Sequence, residues 1–481
     1  VRLNSSTYMS GVTDVVGGAH HTIIYANGQL YGLGYGYYGQ NVTNGDTGQD
    51  TYPVLWSNQF NVSGTQINPE HFYTLENTEA PTYTATFNYN NYNGNMQIVS
   101  EHYCTHILTD DGKLYGWGYS GHGEIGIGNT SSYNYPREIA SSYFNNKQVV
   151  KLCRVCFHAS CALTDEGEVY AWGNGSYGAF LKGNTSNYST PQLLTWFSTN
   201  NIKIVDVTGG YYHWIALSEE GKIYTWGYNS HGQRGIGNTS SFNNETAPFE
   251  LSDFNNSNNE LYGKEIILIK AREYHCMAVT SDNELYTWGD NSEYVLGHGN
   301  TTTDAYYPKK VNFNWGGTIV QIEAGYRSCM VLINNGTVYN WGTGSNYGLG
   351  HNSTGDSGSP LVPINLNGVN IVKISSGRDN FKYAISADGT LYGWGYNTYY
   401  QMGNNHTNDI EIASPIFSNV TDVIAGHQCA FVVADGKIWS WGYGNYCQHR
   451  PWANNTSNIQ LPEQWPDDFA NNYMNGATTG F

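Results

Sequence analysis

The phrase LYGWGYSGHGEIGIGNTSS at 114–132 returns from Ile223 as IYTWGYNSHGQRGIGNTSS. Weaker copies bring the total to eight. Their tryptophan slot holds Leu33, Trp117, Trp172, Trp226, Trp288, Trp341, Trp394 and Trp441, each followed by glycine. After the widest, first interval the spacing is 47 to 62 residues. A period near fifty sets the architecture before any single element does, because one such unit cannot bury its own apolar face and must stack on its neighbours.

Each copy carries the same local grammar. Five residues before the tryptophan slot stands a turn: Asn27-Gly28, Asp111-Gly112, Glu166-Gly167, Glu220-Gly221, Asp282-Asn283, Asn335-Gly336, Asp388-Gly389 and Asp435-Gly436. These pairs favour the positive φ that a two-residue hairpin requires. Short apolar runs such as THILT and CMAVT precede the turns, and runs such as KLYGWG follow them. The unit therefore reads strand, tight turn, strand, with room for further short strands. A hairpin alone is not stable, so the copies stack into an open solenoid or a closed ring of blades. No long stretch has the 3.6-residue apolar period of a helix, which favours blades.

Composition agrees and narrows the class. Of 481 residues, 15% are aromatic and 12% charged, with 41 Tyr and 57 Gly, which suits many short strands joined by tight turns. The formal net charge is -18, the opposite of what phosphate neutralisation asks of a nucleic-acid binder. No apolar run is long enough to span a bilayer as a helix. The chain starts at Val1, which fits a removed leader as well as a sequence given only from its ordered part.

The pattern resembles the RCC1 repeat family (regulator of chromosome condensation). Its unit has Gly-x-x-His-(Ser/Thr), an Asp-Gly turn, Leu-Tyr-x-Trp-Gly, then Gly-Gln-Leu-Gly-x-Gly and a proline. GGYYHWIALSEEGKIYTWGYNSHGQRGIGN and GYRSCMVLINNGTVYNWGTGSNYGLGHN match it well. The resemblance covers roughly 14–56 and 98–462. It implies an all-β fold, a single β-propeller of four-stranded blades. Family habit gives seven blades and counting gives eight; eight is favoured, and seven stays open. The expected organisation is an N-terminal arm at 1–13, a propeller at 14–462 with an insertion at 57–97, and a tail at 463–481. A smaller insertion follows the fourth copy.

The phrase ends in Asn-Thr-Ser, an N-glycosylation acceptor. Seventeen such triplets occur, and six keep phase with the repeat. Asn129, Asn184, Asn238 and Asn300 lie twelve residues past their tryptophan, and Asn352 and Asn405 eleven past theirs. The others are Asn4, Asn41, Asn61, Asn174, Asn187, Asn244, Asn255, Asn335, Asn419, Asn454 and Asn455. An Asn-rich and Ser/Thr-rich chain yields many of these by chance, but phased acceptors on one rim point to a secreted glycoprotein. The only attached groups expected are N-linked glycans, with no cofactor.

Cys276, Cys329 and Cys429 share one repeat slot with Thr105 and Ser160, which marks them as small buried residues. Cys153 and Cys156 form an isolated Cys-x-x-Cys. Without a second pair a four-cysteine zinc site is not indicated, and a disulfide involving one of them is the preferred reading. His20, His213 and His275 also fall in repeat slots and read as structural, while His122 and His231 belong to the glycine-rich loop. The Gly34, Gly36, Gly39 run formally matches a dinucleotide fingerprint but coincides with the repeat's own glycines and opens no helix. No catalytic residue and no metal-ligand set is identified.

The chain therefore reads as a non-enzyme: a secreted, N-glycosylated structural or adhesive protein, self-assembling into an extracellular filament or coat. Its terminal segments would add strands to a neighbour. Tyrosine-rich surface would supply contact area. The alternative is a protein-binding propeller, either a secreted inhibitor or receptor type or, by resemblance to the family, a guanine-nucleotide exchange factor. Neither nucleic acid nor a membrane span is expected.

Overall fold

The computed structural model describes residues 97–101, 104–109, 112–153, 158–241, 245–299, 301–435, 437–444 and 458–465, together with the backbone of four earlier strands. Those four, β1 (Val12–Gly17), β2 (His21–Ala26), β3 (Gln29–Tyr35) and β4 (Gln49–Leu55), pair consecutively and antiparallel in one sheet. They belong to a compact unit spanning 1–83. A second compact unit spans 84–481 and holds seven more four-stranded antiparallel sheets, each made of consecutive strands.

Those seven sheets are blades of a ring. Blade 1 comprises β5 (Gln97–Glu101), β6 (Cys104–Leu108), β7 (Leu114–Gly118) and β8 (Tyr133–Ile139). Blades 2 to 7 occupy 149–193, 204–250, 266–310, 319–361, 371–417 and 420–464. First strands of successive blades touch one another all the way round, so they are innermost, and the first strand of blade 7, Val420–Ala425, meets β5. The eight copies do fold as eight sheets, but the ring has seven blades. Counting misled because it registers hairpins, whereas blade number is set by which inner strands meet.

Apolar side chains of each blade pack on the next. Ile215 and Leu217 of blade 3, for example, cluster with Ile266, Ile269 and Trp288 of blade 4. The repeat tryptophans Trp117, Trp172, Trp226, Trp288, Trp341, Trp394 and Trp441 are all fully buried. Six of their indole N–H groups donate across the seam to a carbonyl in the glycine-rich loop of the preceding blade. Trp172 reaches Glu124, Trp226 Ala179, Trp288 Gln233, Trp341 Val295, Trp394 Gly348 and Trp441 Gln401, at 2.5–3.1 Å. The phrase is thus a latch: one copy supplies the tryptophan and the copy before it supplies the carbonyl. A buried indole needs such an acceptor.

The hairpins differ from the two-residue turns expected. In blades 1 to 6 the loop is three residues long, with its last residue left-handed. In blade 2 Thr164 N–H bonds the Glu168 carbonyl and Gly167 takes φ +76°; in blade 4 Asn283 fills that place with φ +65°. This is a turn closed by a glycine-type bulge. Blade 7 alone in the ring keeps the two-residue form, Ala434 pairing with Lys437. Its shorter turn slips the register by one, so Ala430 faces Trp441, where Cys276 faces Trp288 and Cys329 faces Trp341. Cys429 therefore leaves the slot the sequence assigned to it and bonds Ser100 Oγ of blade 1 at 3.8 Å.

Candidate functional site

In every blade the loop between the first and second strands and the loop between the third and outer strands emerge at the same end. The ring therefore gathers these loops on one face, among the described residues, with the hairpin turns on the other. The loop face is rich in tyrosine. Tyr177 of blade 2, Tyr211, Tyr212, Tyr228 and His231 of blade 3, and Tyr274 of blade 4 form a continuous half-buried aromatic cluster. Ring centroids lie 4.8 Å apart for Tyr177–Tyr228, 5.2 Å for Tyr177–Tyr212, 5.4 Å for Tyr211–Tyr274 and 5.0 Å for His231–Tyr274. Burial, reinforced by Tyr211 and Glu273, pushes the Tyr274 hydroxyl up to about 12, so it remains a donor at neutral pH.

A bridge crosses this face. Arg378 of blade 6 places Nε 2.7 Å from Glu273 Oε1 of blade 4, two blades away, and its guanidinium lies 5.6 Å from the Tyr211 ring of blade 3. Arg327 of blade 5 pairs with Glu293 of blade 4 at 2.9 Å. Planar, multiply hydrogen-bonding arginine suits such stacked and paired positions.

Further round, His122 and Glu124 of blade 1 meet His158 of blade 2. Both imidazole Nδ1 atoms approach one carboxylate oxygen, Glu124 Oε1, at 3.1 and 2.7 Å. Glu124 Oε2 accepts the His122 backbone N–H at 2.8 Å. Burial pushes this carboxyl up, but the histidine hydrogen bonds outweigh it and hold it below the ordinary glutamate value. A second grouping joins His231 to Asp290 and Asp304. The sequence pointed to His122 and His231 only as loop residues. It missed Glu124 and His158 as partners, because 34 residues separate them and the blade seam brings them together.

The sequence-derived residues fall as follows. Among the phased acceptors Asn129, Asn184, Asn238, Asn352 and Asn405 are exposed at the outer rim of the loop face. There the loop meets the outer part of the next blade, as where Gly128 N–H donates to the Ser189 carbonyl at 2.7 Å. Asn187, Asn255, Asn335 and Asn419 are exposed too. Asn174 differs: it is buried, 9% exposed, with its Oδ1 accepting the Ser176 N–H, and is a poor acceptor for a glycan. Asn4, Asn41, Asn61, Asn244, Asn300, Asn454 and Asn455 lie outside the described residues, as do Cys156, His20 and the 57–96 part of the insertion.

Cys153 is a buried free thiol, opposite Cys161 in the sheet register, so a bridge at Cys153 is not what the structure contains. His213 and His275 are buried, and His213 Nε2 sits 3.2 Å from Cys276 Sγ. Among the described residues no helix is long and apolar enough to cross a membrane.

Comparison with known proteins follows the same outline. The model of the RCC1-like domain matches residues 74–417. The human E3 ubiquitin-protein ligase HERC2 is 30% identical over 322 residues, which are 66% of this chain and 6% of the ligase. The ultraviolet-B receptor UVR8 of Arabidopsis thaliana is 30% identical over 303 residues, 62% of this chain and 64% of the receptor. The chain thus spans only a small part of the first and under two thirds of the second. Among solved structures, yeast RCC1 (Prp20) bound to Kap60 superposes with a TM-score of 0.62 at 18% identity, covering 74% of this chain and 84% of that one.

Proposed function

Because the chain belongs to the RCC1-like domain family, we propose that it is a non-catalytic, protein-binding propeller that takes a polypeptide partner on its tyrosine-rich loop face. The observation that carries this is the continuous cluster Tyr177, Tyr211, Tyr212, Tyr228 and Tyr274. Half-buried tyrosines offer rigid contact area with a hydrogen-bonding tip at little entropic cost, the composition of interface hot spots. The structurally similar yeast protein was captured with a protein partner, which supports the reading. The net charge of -18 favours a partner with a basic contact segment, drawn in faster at low salt.

The proposal includes an extracellular, N-glycosylated setting. Five phased acceptors exposed on the outer rim support it, since glycans there would coat the seams and leave the centre of the loop face open. Self-assembly into a filament or coat rests on the terminal segments, and 1–11 and 466–481 lie outside the described residues.

Two measurements test the proposal. Glycosidase treatment of the native protein lowers its mass; an unchanged mass removes the extracellular setting. For docking, the partner crosslinked to the native protein is identified and its affinity measured against three proteins. Tyr177→Ala/Tyr228→Ala weakens binding at least about tenfold, the loss of one anchor of 1.4 kcal/mol or more. Val372→Lys, on an inner strand at the opposite end and 55% exposed, binds as the wild type does. If the tyrosine variant binds normally and Val372→Lys does not, the partner sits on the other face and the reading fails.

A further inference from the structure

We propose that His122, Glu124 and His158 form a zinc(II) site at the seam between blades 1 and 2. The three donor atoms, two imidazole Nδ1 and Glu124 Oε1, lie within 4.8 Å of one another. The two imidazole rings stand 4.9 Å apart, and Tyr119 packs on both, at 6.5 Å from His122 and 5.5 Å from His158.

Comparison between blades supplies the physical reason to expect an ion. Seven residues past the tryptophan, blade 3 has Gln233 and blade 6 has Gln401 where blade 1 has Glu124. All three do the same structural work. Gln233 Oε1 accepts the His231 N–H at 2.9 Å, and Gln401 Oε1 accepts the Tyr399 N–H at 2.9 Å, as Glu124 Oε2 accepts that of His122. One oxygen suffices for that task, and a neutral amide provides it. Blade 1 instead buries a carboxylate, 1% exposed, and points its second oxygen at two imidazoles. A buried negative charge is unfavourable unless a cation answers it. A divalent ion does so by taking the place of the imidazole protons at Oε1, each neutral imidazole offering Nδ1 to the ion and carrying its proton on Nε2.

The donor set chooses the metal. Two imidazole nitrogens and one carboxylate oxygen suit zinc with one position left open, whereas calcium and magnesium prefer oxygen alone. His122, with its side chain 32% exposed, leaves the fourth position toward the loop face for water or a partner's side chain. The loop is held rigid from behind, because the Glu124 carbonyl accepts both Trp172 Nε1 at 2.7 Å and Ser160 Oγ at 3.1 Å. Preorganisation of this kind favours tight binding.

The test uses the full chain, stripped with a chelator and titrated with zinc against a chromophoric competitor, then with cobalt(II) as a spectroscopic substitute. Glu124→Gln keeps the loop hydrogen bond, as Gln233 and Gln401 do. His158→Asn keeps a residue that tolerates the local φ of +60°. The wild type holds one more tight zinc equivalent than either variant, and the double variant loses no second one. The wild type with cobalt gives the intense visible bands of a four-coordinate centre, and both variants lose them. Equal zinc stoichiometry and affinity in wild type and Glu124→Gln, or a wild type without those bands, overturns the site. Circular dichroism of the zinc-free proteins separates lost ligation from lost folding, since Glu124→Gln keeps the wild-type spectrum.

Discussion

Lys382 shows how one residue can set the pH response of the whole ring. It occupies the slot opposite Trp394 and is fully buried, its Nζ donating to Asn380 Oδ1 at 2.9 Å. Burial pulls its amine from 10.5 down to about 7. Between these values the unfolded chain binds the proton and the folded chain does not, so stability rises with pH by up to about 1.4 kcal/mol per unit. Lys382→Met removes this slope above neutrality and raises the denaturation midpoint at pH 7.5; urea melts from pH 7 to 10 check both. At the acid end, burial lowers His106 and His275 to about 4 and His213 to about 3. Unfolding therefore takes up protons as pH falls from 6.5, and stability drops down to about 4, each histidine adding up to about 1.4 kcal/mol per unit. His275→Phe shallows that fall in the same melts. The sequence marked His213 and His275 because their slot repeats, and both are buried. It gave no warning of Lys382, since a lysine in an apolar run reads as ordinary until the neighbouring blade covers it.

At the scale of the element, the unit of construction is the latch between copies rather than the hairpin within one. The second glycine of the loop exists for the next blade's tryptophan. A Cβ on Gly297, at φ +70°, would stand 2.8 Å from Trp341 Nε1, whereas one on Gly299, at φ +80°, would meet nothing within 4 Å. Both substitutions strain the backbone by about 1–2 kcal/mol, but only Gly297→Ala adds an overpacking penalty of about 1–3 kcal/mol. Chemical denaturation should rank Gly297→Ala clearly below Gly299→Ala; equal costs would mean that the latch tolerates a methyl. Hairpins, glycine run and tryptophan were legible because they recur at fixed offsets. The direction of the latch was not, since a sequence offset cannot say whether Trp172 bonds its own loop or the preceding one. Glu124 was likewise passed over in the sequence, because its partner His158 arrives only with the next blade.

For the molecule as a whole, the question is what closes the ring. Each described blade is built of four consecutive strands, so no strand from one end of the chain completes a sheet at the other. Closure then rests on side chains at the seam between blades 7 and 1, where Ile98, Ile107, Tyr115 and Trp117 pack against Cys429, Phe431 and Trp465. Trp465 follows the last strand and belongs to no copy of the repeated phrase, so periodicity could not mark it. It is 3% exposed, its ring centre lies 6.1 Å from Trp117 and 5.9 Å from Phe431, and its Nε1 donates to Ser440 Oγ at 2.9 Å. Trp465→Ala removes one of the two tryptophans at the junction and should cost about 3–5 kcal/mol, the range for truncating a buried tryptophan. It should also split the unfolding transition, because blades 7 and 1 lose their common packing while the seams from blade 2 to blade 6 stay intact. Calorimetry reads both effects. A single transition lowered by less than about 1 kcal/mol, within the ordinary run of mild substitutions, would show that closure is distributed among the inner strands instead.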